Sequence, residues 1–172
     1  EQIIDLIRAG ESGTVRVVFD NTEIAGSRII RVIADPTDAI AESNEQDNRI
    51  TKSLVIAPPA LADLVIVESD ITFTPSSPLV GESVKVTVTV ANKGTADANA
   101  VLVRLMDVSA GSTLIGQPVT IEKIAVGGSA SVEFSYDTTD KAGERRIQAV
   151  ADPDNAIAES DEENNRAVKV LK

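Results

Sequence analysis

Sixteen residues, ADPDNAIAESDEENNR, occupy positions 151–166 and carry six carboxylates: Asp152, Asp154, Glu159, Asp161, Glu162 and Glu163. A near copy, ADPTDAIAESNEQDNR, occupies 34–49. Carboxylates this dense suit a hard cation, calcium above all, which takes oxygen ligands. The linear EF-hand spacing is absent. Counted from Asp152, that rule places Ala156 and Ala158 among the ligands and Ile157 where a glycine is required. A looser site would rest on the acids that both copies keep. These are Asp152, Glu159 and Glu162, with the equivalents Asp35, Glu42 and Glu45. The first copy has Thr37 for Asp154 and Gln46 for Glu163. These six are the candidate metal ligands, and calcium is the only candidate cofactor.

The competing reading is structural. Asp152-Pro153 ends a strand, because proline donates no ladder hydrogen bond. Ile157, the one large apolar residue of the segment, is expected to plug into the core. Asn164-Asn165 suits positive φ or side-chain-to-backbone turn bonds. Glu159 or Ser160 is expected to accept backbone N–H bonds inside the loop. A protein or glycan contact is the third reading.

Other chemistry finds little support. The 172 residues include no His and no Cys, so the commonest general base and the thiolate metal sites are both missing. A serine triad has no base. The stretch AVGGSAS matches no phosphate-binding pattern and reads as a hairpin turn. A glycosidase carboxylate pair needs a cleft that a small sandwich rarely encloses. The expectation is therefore no enzyme. A net charge of −11, from 16 basic and 27 acidic residues, argues against nucleic acid and against anionic lipid. No apolar run is long enough for direct membrane insertion by a helix.

The duplicated segment belongs to a longer repeat. Residues 1–55 align with 118–172 at a constant shift of 117 without a gap, and 24 of the 55 positions are identical. Such a match marks a tandem repeat. The chain then divides into the C-terminal half of one copy (1–56), a Pro58-Pro59 linker (57–61), and one complete copy (62–172). Consecutive prolines favour a stiff, extended connector.

The complete copy reads as β throughout. LVIV (64–67) and ITFT (71–74) open it. In SVKVTVTVAN (83–92), Val84, Val86, Val88 and Val90 alternate with Lys85, Thr87 and Thr89, the pattern of a strand with one wet face. AVLVRLMDV (100–108) follows, and one or two short strands lie within 111–124. ASVEFSYD (130–137) points Val132, Phe134 and Tyr136 inward. ERRIQAVAD (144–152) and RAVKVLK (166–172) close the copy, joined by the acidic segment. Seven or eight short strands separated by turn residues predict an all-β, two-sheet sandwich of immunoglobulin or fibronectin type III kind. Aromatics are only 2%, so Val, Ile and Ala must fill its core. In the half-copy, Ile3 to Arg8 is read as a strand by analogy with PVTIEKI, and three or four strands are expected in all. They would leave an apolar sheet face uncovered. Either the missing half lies upstream or another chain covers the face.

The opening Asp63-Leu64-Val65, the Pro78 to Gly81-Glu82 turn and the valine-alternating strand ending at Asn92-Lys93-Gly94 resemble the CARDB family, as does the closing Asp-Pro, Ile, Glu, Glu, Asn-Asn segment. This is the cell-adhesion-related domain found in bacteria, and also in archaea. The resemblance covers 62–172 and extends to the half-copy. It implies an immunoglobulin-like, seven-stranded sandwich without catalytic residues, set in tandem within large secreted or surface-attached prokaryotic proteins. The expected role is a cell-surface or extracellular spacer and adhesion segment, partnered by neighbouring repeats. Two alternatives are a self-assembling or strand-swapped subunit that pairs with other copies of the chain, and a calcium-dependent protein- or glycan-binding module.

Overall fold

The computed structural model describes residues 2–20 and 25–172. The chain separates into two compact units, 1–59 and 60–172, with the boundary at Pro59.

The larger unit is an immunoglobulin-like β-sandwich. One sheet is built on β5 (Ser83–Asn92). Two short strands, β3 (Leu64–Val65) and β4 (Ile71–Thr74), pair antiparallel along β5, and β9 (Ser129–Asp137) also pairs with it. One turn of 3-10 helix, Glu68–Asp70, separates β3 from β4. The other sheet runs β11 (Arg166–Leu171), β10 (Arg145–Ala151), β6 (Ala98–Asp107), with β7 (Thr113–Leu114) and β8 (Val119–Ile124) both on β6.

The valine alternation reads true. Val84, Val86, Val88 and Val90 are fully buried, as are Val101 and Val103 of the facing sheet. Each buried valine stabilises the sandwich by roughly 1.5 kcal/mol. Val132, Phe134 and Tyr136 also point into the core. The AVGGSAS stretch differs from expectation. It is a tight turn, with the Gly128 N–H donating to the Ala125 carbonyl at 2.9 Å, but it carries the chain from β8 in one sheet to β9 in the other. No hairpin forms there, because each strand already has its partner in a different sheet.

The smaller unit contains one hairpin, β1 (Gly26–Ile33) with β2 (Arg49–Ile56). Its register repeats that of β10 with β11: Arg28 faces Leu54 as Arg145 faces Leu171. The expected strand over Ile3 to Arg8 is absent, and residues 2–20 hold no strand. The reason lies in pairing. The equivalents of these residues form β8 and β9, which pair with β6 and β5. Among the described residues the smaller unit has no counterpart of β5 or β6, whereas β10 and β11 pair with each other, so only their equivalents form strands.

Candidate functional site

The acidic segment is the connection from β10 to β11. Its first turn is built by Asp152, which sits at φ +44 with Asn155 at φ +49. Asp and Asn tolerate this left-handed region better than other side chains. The Asp152 carboxylate accepts from Ala156 N–H at 3.0 Å and from Ile157 N–H at 2.7 Å. Ile157 is thereby held against the core, as its apolar character suggested. Further along, Glu162 Oε1 accepts from Glu159 N–H at 2.9 Å, and Asp161 accepts from Glu163 N–H at 2.9 Å.

Glu159 does something different. It is buried, and its Oε2 accepts the backbone N–H of Leu64 at 2.6 Å. Its Oε1 accepts from Asn165 Nδ2 at 3.2 Å. The same loop reaches β3 and the residues flanking it in three more ways. Ser160 N–H donates to the Ala62 carbonyl in the isolated parallel bridge between Ala62 and Glu159, Ile66 N–H donates to the Asn164 carbonyl, and Asn164 Nδ2 donates to Asp63 Oδ1 at 2.9 Å. The acidic loop is therefore a latch on the first strand of the sandwich. Two expectations are corrected. Glu159 accepts its backbone N–H from β3, not from within the loop. Asn164 and Asn165 take no positive φ; their amides reach carboxylates instead.

Burial raises the Glu159 carboxyl above its ordinary range, and the charges of Glu162 and Asp152 add to the rise, against the hydrogen bonds from Leu64 and Asn165. The charges of Asp152 and Glu162 thus reach Glu159, yet no group of three or more acidic side chains among the described residues is arranged to hold a metal ion. Two oxygens in the loop, Glu162 Oε2 and Asn164 Oδ1, are buried and unpartnered.

The first copy repeats the local half of this design. Asp35 lies at φ +41 and accepts from Ala39 and Ile40 N–H at 3.0 and 2.7 Å. Glu45 accepts from Glu42 N–H at 2.8 Å, and Asn48 hydrogen-bonds the Glu42 carboxylate. Ile40, the counterpart of Ile157, remains exposed.

A second polar cluster escaped the sequence reading. Tyr136 of β9 donates to Asp107 Oδ2 of β6 at 2.6 Å, and Arg145 of β10 donates to the same oxygen from Nε at 3.0 Å and Nη2 at 2.7 Å. Ser109 N–H donates to Asp107 Oδ1 at 3.0 Å. Desolvation pushes the Asp107 carboxyl up, but the bonds from Tyr136, Ser109 and Arg145 outweigh it and hold the group well below the carboxylate range. Burial and the Asp107 bond push the Tyr136 hydroxyl up to about 12. The cluster ties the two sheets together. The only signal in the sequence was a lone tyrosine pointing inward.

With this geometry in hand, the chain's relationships are clear. The CARDB family model matches residues 61–169, so the chain belongs to the CARDB family. The CARDB domain of a Pyrococcus furiosus protein, solved in complex with di-metal ions, is similar to it at 22% identity and a TM-score of 0.54, covering 65% of this chain and 88% of that one. A domain of a protein assigned to the cell surface in Methanosarcina acetivorans is similar at 24% identity and a TM-score of 0.51, covering 64% and 90%. No curated protein matches the sequence. Among the described residues, no helix is long and apolar enough to cross a membrane.

Proposed function

We propose that the chain is a non-catalytic, extracellular module of a prokaryotic cell-surface protein, serving as a spacer and adhesion segment. One observation carries this reading: the buried carboxylates among the described residues, Asp107, Asp152 and Glu159, are all engaged in tying the sandwich and its closing loop together. Membership of a surface-associated family supports it. The test has two arms. Antibody against residues 60–172 should label intact cells of the source organism; signal only after lysis contradicts the location. Replacing the module in its parent protein by an unrelated sandwich of equal length should preserve surface display. If adhesion is lost, the module itself recognises a ligand and is more than a spacer.

A second reading is a calcium-dependent module. It is favoured by the buried, unpartnered Glu162 Oε2 and Asn164 Oδ1, and a Pyrococcus relative is described with di-metal ions. Asp152 and Glu159 already accept N–H bonds with both oxygens, so Glu162 and Asn164 would be the first ligands. Saturating calcium would raise the melting temperature by mass action. A melting temperature identical in calcium and in EDTA contradicts this reading.

A further inference from the structure

The two outer faces of the larger sandwich differ in kind. On the sheet built on β5, the outward side chains of β5 and β9 are mostly serine and threonine, and they satisfy one another. Ser83 bonds Ser135 and Thr89 bonds Ser131, both at 2.9 Å, and Lys85 meets Glu133 at 3.0 Å. The outer face of the other sheet mixes aliphatic side chains with arginine. Val168, Gln148, Met106 and Leu114 form one row across β11, β10, β6 and β7. Arg166, Val150 and Arg104 form the row on one side, and Val170 with Arg146 the row on the other. Leu105, Ile147 and Ala149, which alternate with these, are buried in the core, while Leu114 and Val170 are 53% and 40% exposed.

Arginine is segregated to this face. The larger unit has four arginines; Arg145 is bound to Asp107, and Arg104, Arg146 and Arg166 all stand here. No outward position of β6, β10 or β11 carries a carboxylate. Aliphatic, methionine and arginine side chains in place of acid and serine are the composition of an interface core. Arginine suits that place because its rigid fork meets carboxylates with little further ordering. The equivalent positions of β1 and β2 repeat the mixture with different residues, Ile29, Arg31 and Ile33 beside Arg49, again without acid.

Charge is graded along the strands. At the end nearest the acidic loop, Arg104 pairs with Asp154 at 3.2 Å and Arg166 pairs with Glu163. The six carboxylates of that loop outnumber these cations. Toward the other end, Glu144 faces Lys172 at 3.8 Å, and Arg146 has no ion pair among the described residues. The rings of Phe73, Phe134 and Tyr136 all belong to the other sheet, so this face offers a sugar no stacking plane.

We infer that this face binds a second copy of the chain, sheet against sheet, about a two-fold axis running across the strands. That axis lays the Val168-to-Leu114 rows of the two copies on each other. It also carries each Arg146 toward the acidic loop of the other copy, so the graded face is its own complement. An axis along the strands would instead bring the two Arg146 side chains to the same end. No strand is exchanged, and the pairing does not depend on where the protein resides. A face four strands wide measures roughly 20 Å by 20 Å. The pair therefore buries on the order of 1,000 Å² in total, the lower limit of specific contacts, and is a weak one.

Sedimentation equilibrium of the full chain tests this. Between about 10 µM and 1 mM, the mass should rise reversibly from 18.1 kDa toward twice that value. Leu114→Lys and Arg146→Glu, at opposite parts of the face, should each weaken the dimer by about tenfold or more, whereas Thr87→Lys on the serine-rich face should leave it unchanged. Arg146→Glu combined with Asp154→Lys should recover most of the loss. A monomer throughout the range overturns the inference, as does a dimer indifferent to both Leu114→Lys and Arg146→Glu. Failure of the charge swap to restore a dimer that Arg146→Glu weakens overturns the cross-strand axis.

Discussion

A buried carboxylate is stable only where donors meet it, and Glu159 meets two, Leu64 N–H and Asn165 Nδ2. Removing it strands the buried Leu64 N–H. Glu159→Ala should destabilise the larger unit by about 2 kcal/mol, measured by urea unfolding. Glu163→Ala, which loses only an exposed ion pair with Arg166, should cost less than about 0.5 kcal/mol. Equal effects would mean that Glu159 does not fasten the first strand. Asp107 offers a test by pH. Its carboxyl is depressed in the fold, so its contribution is present above the ordinary value of 3.8 and is lost as pH falls through the folded value. Asp107→Asn should cost about 2 kcal/mol near neutrality, and the gap from wild type should close in acid. Glu159 runs the other way: its carboxyl is raised, so the stability linked to its proton is present in acid and fades as pH rises through the folded value. Tyr136 is the only tyrosine and there is no Trp, so ultraviolet absorbance reads its hydroxyl alone. It should titrate near 12 in the folded protein and near 10 once unfolded, and stability should fall across that interval as pH rises. A folded midpoint near 10 contradicts the Asp107 bond.

At the scale of elements, strand identity was legible where alternation was strong. SVKVTVTVAN became β5 residue for residue, because four inward valines leave no other face to bury. The acidic loop was legible as a connection and Ile157 as its plug. What stayed hidden was every contact made far along the chain. Glu159 to Leu64 spans 95 residues, and no local pattern encodes it. The strand expected at Ile3 to Arg8 failed for the same reason, since its fate depends on β6. Asn92 read only as the end of the valine strand, yet its fully buried amide donates to the Ala96 and Ile124 carbonyls and accepts from Asp63 and Gly94 N–H. Gly94 packs beneath the chain leading into β3. A Cβ there would lie 2.4 Å from the Leu61 carbonyl oxygen and 2.6 Å from Asp63 N. Gly94→Ala should therefore displace that segment and destabilise the larger unit by about 3 kcal/mol in urea unfolding, whereas Gly111→Ala meets no atom and should cost about 1 kcal/mol for its positive φ alone. A Gly94→Ala as mild as Gly111→Ala would mean that the segment has room to move.

At the scale of the whole molecule, the two units share one local code and differ in closure. Both carry the Asp-capped loop and the same hairpin register. Among the described residues only the larger unit has the first strands that the loop fastens, and its core is continuous across both sheets. The decisive measurement is native-state hydrogen exchange on the full chain, residue by residue. Leu64 and the β10–β11 amides should exchange only with global unfolding of the larger unit, while the matching amides of β1 and β2 should exchange by local opening, orders of magnitude faster. Equal protection of the two hairpins, or a Leu64 amide that exchanges freely, would contradict this expectation.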